Sequence, residues 1–169
     1  MTAIGTSDEA QRLSFSTCYH QFYVIDPGVD YDTGTNFWTD EAQKRGLASS
    51  EGVIGISTAS YGRIRCFFEL ANSEPSLPPA PWQRIVEASI QLTGTRYAIM
   101  CPTDLNPIHE ATCRPGWHRL RIYAAFLDDL VKDTHGDDYF DFYWLILWRA
   151  PRAGVRVLKN YDPSKKPSN

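Results

Sequence analysis

The chain predicts a mainly β fold: a single-domain antiparallel β-sandwich of about eight strands with one short helix. Three observations carry that expectation. Short segments alternate large with small or polar residues at a period of two. Turn-forming Gly, Pro, Asn and Asp interrupt them at regular intervals. Only one stretch carries a full set of helix signals. At 169 residues the chain suits one domain, burying about 70% of its unfolded surface without a covalent staple. Hydrophobic residues at 43% and charged residues at 22% are ordinary for a globular protein, while the 13% of aromatics gather in the strand-like segments.

Residues 1–12 are polar and read as a flexible N-terminus. Leu13 to Ile25 reads as one long strand, with Phe15, Tyr19, Tyr23 and Ile25 on one face and Cys18, His20, Phe22 and Val24 on the other. Asp26-Pro27-Gly28 ends it, and the following loop carries Asp26, Asp30 and Asp32 with no basic residue. Trp38 to Gly46 is the helix. Thr39 is placed to cap it, Asp40 and Glu41 lie at the positive end of its dipole, Lys44 and Arg45 at the negative end, and Gly46 supplies a left-handed terminator. After a turn at Ser49–Gly52, Val53–Ser57 and Arg63–Leu70 read as a hairpin. Four prolines between residues 71 and 82 mark an exposed connection.

In the second half, Trp82–Leu92 alternates as a half-buried strand, Arg96–Cys101 is a short strand, and Pro102–Gly116 reads as a loop. Trp117–Leu127 alternates again. Tyr139–Trp148, with six aromatics, reads as a central strand, and Val155–Leu158 as a last edge strand. The domain therefore runs from 13 to 159, with a flexible basic tail at 160–169. Neither half has enough strands for a core of its own.

A net charge of −3 and a pI near 5.8 argue against nucleic acid as a direct partner. No apolar run is long enough to span a membrane, and no signal peptide is visible, so the expected compartment is the cytoplasm with reduced thiols. Cys101, His109, Cys113 and His118 have the spacing C-x7-H-x3-C-x4-H, which fits no familiar zinc pattern, so no metal is expected. Cys18 beside His20 lacks an orienting acid, and no nucleophile elbow, phosphate loop or dinucleotide fingerprint is present. The expectation is a non-enzyme without a cofactor. Asp128, Asp129, Asp133, Asp137, Asp138 and Asp141 crowd one connection, without the ligand spacing of an EF-hand. Such a segment is either a solvated loop or a negative surface for a cationic protein site.

Two stretches carry a family resemblance. Tyr19-His20-Gln21-Phe22, followed by Trp38-Thr39-Asp40-Glu41-Ala42 and then Gly46, Ala48, Gly52 and Ile54, resembles in order and separation the ComJ family, inhibitors of competence DNA-entry nucleases. That likeness covers residues 14–70. Pro115–Ile122 resembles strands of bacterial toxin-immunity proteins. Together the resemblances imply a protein that binds and blocks a nuclease or nuclease-like toxin. The motif residues Tyr19, His20, Gln21, Phe22, Trp38, Thr39, Asp40, Glu41 and Gly46 are expected to be scaffold. The partner surface is expected at Asp30, Asp32, Asp128, Asp129, Asp133, Asp137, Asp138 and Asp141, since a nuclease site is built to receive phosphates. Two other readings stand beside this one. One is a carbohydrate or small-ligand module using exposed aromatics such as Trp82 or Trp117; the other is a hydrolase depending on His20 or His118.

Overall fold

The computed structural model describes residues 10–77, 81–128 and 141–165. The first half contains β1 (Gln11–Ser16), β2 (Gln21–Ile25), α1 (Asp40–Arg45), β3 (Leu47–Ser50), β4 (Val53–Ser57) and β5 (Arg63–Ala71). The second contains β6 (Arg84–Leu92), β7 (Arg96–Met100), β8 (His109–Thr112), β9 (Gly116–Ala125), β10 (Phe142–Arg149) and β11 (Arg156–Lys159). These strands form a six-stranded sheet, β1-β5-β10-β9-β6-β11, and a five-stranded sheet, β3-β4-β2-β7-β8. All pairings are antiparallel except β5 with β10. The expected β-rich single domain is present, with one α-helix among the described residues. No helix among them is long and apolar enough to cross a membrane.

The main core lies between the sheets. Leu13, Ile64, Cys66, Val86, Ile90, Leu120, Ile122 and Leu145 from the larger sheet meet Phe22, Val24, Ile54, Ile56 and Ile99 from the smaller. Each such side chain contributes about 1.5–3 kcal/mol relative to exposure. Both outer faces are also covered. Tyr31, Phe37, Trp38 and Ala42 lie over Tyr23, Ile25, Val53 and Ala98, where Gly55 leaves the space that the Phe37 and Trp38 rings occupy. On the other side Trp82 is buried among Tyr123, Phe142 and Trp144. Trp82 is therefore core and unavailable as the exposed sugar platform expected of it.

Several elements differ from the sequence expectation. Leu13–Ile25 is two strands in different sheets, because Tyr19 and His20 take φ of 55° and 56° and turn the chain from one sheet to the other. That break shifts the alternation by one residue. Phe15 and Phe22, expected on opposite faces, both enter the core with ring centroids 5.3 Å apart. The Val53–Ser57 and Arg63–Leu70 strands do not form a hairpin: β4 pairs with β3 and β2, and β5 with β1 and β10. Two short strands, β3 and β8, occupy segments not expected to be strands: β3 runs into the turn expected at Ser49–Gly52, and β8 lies in the loop expected at Pro102–Gly116. Their four residues each are too few to show a period, and the total rises to eleven strands among the described residues. The helix matches its signals. The Thr39 hydroxyl accepts from the Ala42 amide at 3.2 Å, and Gly46 has φ of 70°. A Cβ at Gly46 would also collide with the Arg84 guanidinium, so glycine is required twice over.

Candidate functional site

One end of the sandwich gathers the features that sequence reading had kept apart. β1 ends there and β2 begins; β4 ends and β5 begins; β9 ends and β10 begins. Thr17 is the hinge between the sheets. Its amide donates to the Gly62 carbonyl at 2.7 Å, and its hydroxyl donates to Ser60 O and Gly62 O, both at 3.2 Å. The next residues make the tight turn, in which the Gln21 amide donates to Cys18 O at 3.3 Å. Two consecutive non-glycine residues in the left-handed region are costly, and they persist only where the surroundings over-determine them. Here the His20 carbonyl accepts from the Thr58 amide at 2.8 Å, and the His20 ring packs edge-on against Tyr61 at 5.3 Å.

The facing loop, residues 58–62, is fixed from inside by Asp141. Its Oδ2 accepts from the Ala59 amide and the Ser60 amide, each at 3.0 Å, and from the Tyr143 hydroxyl at 2.7 Å. Burial first, then the Asp141 charge, pushes the Tyr143 phenol well above its ordinary pKa, so it stays a donor. A third loop joins this end where the Cys101 thiol donates to Ser16 O at 3.1 Å. That loop carries Leu105, which is 96% exposed; Tyr19 and Tyr61 are each 64% exposed. Three large apolar side chains thus project from three loops of one end, each loop pinned by buried groups.

The residues of the family motif fall into two classes. Gln21 Oε1 accepts from the Trp38 indole at 2.6 Å and from the Tyr23 hydroxyl at 3.0 Å, tying β2 to the layer over its outer face. Phe22 is core, Thr39 caps the helix, Asp40 and Glu41 are exposed in its first turn, and Gly46 ends it. Tyr19 and His20 are exposed at the turn between the sheets.

The acidic candidates separate. Asp30 and Asp32 are exposed on the loop that leaves the far end of β2, and Asp32 accepts from the Gly34 amide at 2.7 Å. Asp128 bonds the Tyr161 hydroxyl and the Gln83 amide, both at 2.6 Å. Burial, followed by that bond to Asp128, pushes the Tyr161 phenol up to about 12. Asp141 is fully buried, not part of the acidic surface expected of it, whereas Asp128 is half-buried and hydrogen-bonded within the protein. Asp129, Asp133, Asp137 and Asp138 lie outside the described residues.

Neither the zinc reading nor the hydrolase reading gains a converged site. All four cysteines are free, and among the described residues no three His, Cys, Asp or Glu side chains are grouped to hold a metal. His109 Nε2 lies 3.3 Å from the Tyr97 hydroxyl, while His118 is buried with Nδ1 3.0 Å from Gly116 O. Burial, then the charge of Arg149, lowers the His118 pKa; no carboxylate orients it. Burial also pushes the Cys101 thiol up to about 11, away from a nucleophilic thiolate.

No protein-family model matches the chain, and no curated protein matches it. Among solved structures, a likeness spans most of this chain. The fold resembles that of ComJ from Bacillus subtilis, described as an inhibitor of the DNA degrading activity of NucA. The TM-score is 0.64 at 19% identity, covering 83% of this chain and 96% of ComJ. The ComJ likeness therefore extends beyond residues 14–70 into the second half. These matches do not support the separate likeness of Pro115–Ile122 to immunity proteins. A weaker likeness, to the protein of crocagin biosynthetic gene J, has a TM-score of 0.49 at 15% identity and covers 82% of this chain and 97% of that one. Sequence reading missed Tyr61 and Leu105. The signal for Leu105 was an apolar residue in the polar run Pro102-Thr103-Asp104-Leu105-Asn106-Pro107, where burial is not expected.

Proposed function

We propose that this chain is a non-enzymatic protein inhibitor that acts in the cytoplasm by binding and blocking a nuclease or nuclease-like toxin. The observation that carries the reading is the gathering of Tyr19, Tyr61 and Leu105 on braced loops of one end, in a fold similar to an inhibitor's. Tyrosine and other rigid side chains are the usual anchors of protein interfaces, and pre-braced loops lose little entropy on binding. The acidic connection between Asp128 and Asp141 leaves and re-enters the fold at this same end. Its Asp129, Asp133, Asp137 and Asp138, with Asp30 and Asp32 elsewhere on the surface, supply charge complementary to a phosphate-binding groove.

The test is DNA cleavage by a candidate nuclease, such as one encoded beside this chain, with and without an equimolar amount of the purified protein. Loss of cleavage is expected, and Tyr19→Ala with Tyr61→Ala should restore it. Undiminished cleavage under tight-binding concentrations rejects that pairing.

A further inference from the structure

The opposite end of the sandwich holds a cleft of about 450 Å³ that the inhibitor reading does not use. It opens where β5 and β10 end, β8 ends and β9 begins; Asn72, Thr112, Cys113, Arg114, His118 and Arg149 contribute its chemically active side chains. Every charged residue lining it is a cation, in a protein whose net charge is −3. Arg114 and Arg149 are both exposed, and neither forms an ion pair with any described residue. In the same protein Arg119 and Arg121 are paired to Glu87, so unpaired guanidiniums are not simply the rule here.

A third cleft residue is His118. His118 is only 1% exposed, yet it lines the cleft. Its Nδ1 is held by the Gly116 carbonyl at 3.0 Å, which fixes the ring and leaves Nε2 without a partner among the described residues. That edge faces the cleft as an acceptor, because Nδ1 carries the proton donated to the carbonyl, and it is open to a ligand that brings a proton. The nearby buried carboxylate Asp26 does not fill that role. Its oxygens already accept from the Gly28 amide, the Thr93 amide and the Thr93 hydroxyl.

We propose that this cleft binds a phosphate-type oxyanion, either free phosphate or the phosphate group of a small monoester. Two guanidiniums supply charge and forked donors, the Asn72 amide and Thr112 hydroxyl add neutral donors, and His118 Nε2, an acceptor, can take the proton of a protonated phosphate oxygen. The volume exceeds that of one phosphate, leaving room for a small organic group beside Leu70 and Ala71. The assignment concerns binding alone and is independent of the inhibitor reading.

The experiment is titration of the full chain with inorganic phosphate at constant ionic strength, followed by calorimetry and by the His118 imidazole resonances. Saturable binding with movement of the His118 signals is expected. Arg114→Gln and Arg149→Gln, both exposed and so compatible with folding, should each weaken it about ten-fold or more, the loss expected for a charge-assisted contact. Inhibition of nuclease by either variant should remain unchanged, which separates the two readings. Absence of saturable binding at millimolar phosphate, or binding by both variants as tight as that of the parent protein, overturns the proposal. Tighter binding of succinate than of phosphate overturns its assignment to phosphate, and a glucose 1-phosphate arm distinguishes a monoester from the free ion.

Discussion

Glu87 and Asp141 are carboxylates buried to the same depth, and the fold answers them in opposite ways. Glu87 lies on the outer face of the larger sheet and is met by cations: Arg121 Nε at 2.9 Å, Arg119 Nη2 at 3.1 Å and Arg156 Nη1 at 3.4 Å. Those partners come from the neighbouring strands β9 and β11, so the charge network laces one sheet together. Arg119 and Arg121 then reach outward, to Ala153 O and Gly154 O and to Pro75 O and Glu74, and hold two connections on the sheet. Asp141 is met by neutral donors, two backbone amides and a phenol, all on Oδ2, and its Oδ1 has no partner. Its role is to hold the 58–62 loop in place between the sheets. The contrast teaches that burial alone does not assign a role. A cation-paired carboxylate stiffens the scaffold, whereas one spent on loop amides shapes a surface.

That contrast makes its largest test at Glu87. Replacing it with Ala strands two buried guanidiniums and should cost about 3–5 kcal/mol in urea unfolding at pH 7. Burial alone would raise the Glu87 pKa, but the hydrogen bonds of Arg121 and then Arg119 outweigh it and hold the group below its ordinary range. A depressed carboxylate contributes stability above its unfolded pKa, about 4.3, and that contribution is lost as the pH falls through the folded value. Glu87→Gln should therefore flatten the acid limb of the stability curve. An acid limb identical to that of the parent protein would remove Glu87 from the account.

Asp141→Ala should cost less, about 2–3 kcal/mol, because amides rather than guanidiniums are left without an acceptor. Its signature is different. Hydrogen exchange should accelerate at Ala59 and Ser60, and target inhibition should fall although no surface side chain has been removed. Unchanged exchange at both amides would mean that the loop does not depend on Asp141.

The same contrast explains what could be read from the chain. The helix was legible because capping, dipole complementarity and termination are local, all contained between Thr39 and Gly46. Most strands were legible from alternation, and the centrality of β10 from its aromatics. Partnering was not, since the parallel pairing of β5 with β10 joins segments about eighty residues apart in a register no local pattern encodes. Asp141 looked like one more member of an acidic run because its amide donors lie 81 and 82 residues away. The break at Tyr19–His20 was hidden for a different reason: neither residue is the glycine or asparagine that announces a left-handed turn.

Trp38 gives a smaller effect, because its ring is half-buried while the indole is bonded to Gln21. Trp38→Ala should lower stability by about 2 kcal/mol, less than the 3–5 kcal/mol typical of a fully buried ring. Nuclease inhibition, measured well below the unfolding transition, should survive. Loss of inhibition in a still-folded Trp38→Ala protein would move the binding surface from the sandwich end to the helix layer.

The smallest change in stability is the most discriminating. His20 holds φ of 56° beside Tyr19 at 55°. A left-handed backbone costs an ordinary residue about 1–2 kcal/mol, a cost glycine avoids at the expense of a more flexible unfolded chain. His20→Gly should therefore leave the turn intact and raise stability by up to about 1 kcal/mol, while deleting the ring that packs on Tyr61. If the turn is only a connection between the sheets, the variant is more stable and inhibits as before. If it is the contact surface, the two measurements part: unfolding moves to higher urea while inhibition weakens, because Tyr61 loses the ring that holds it.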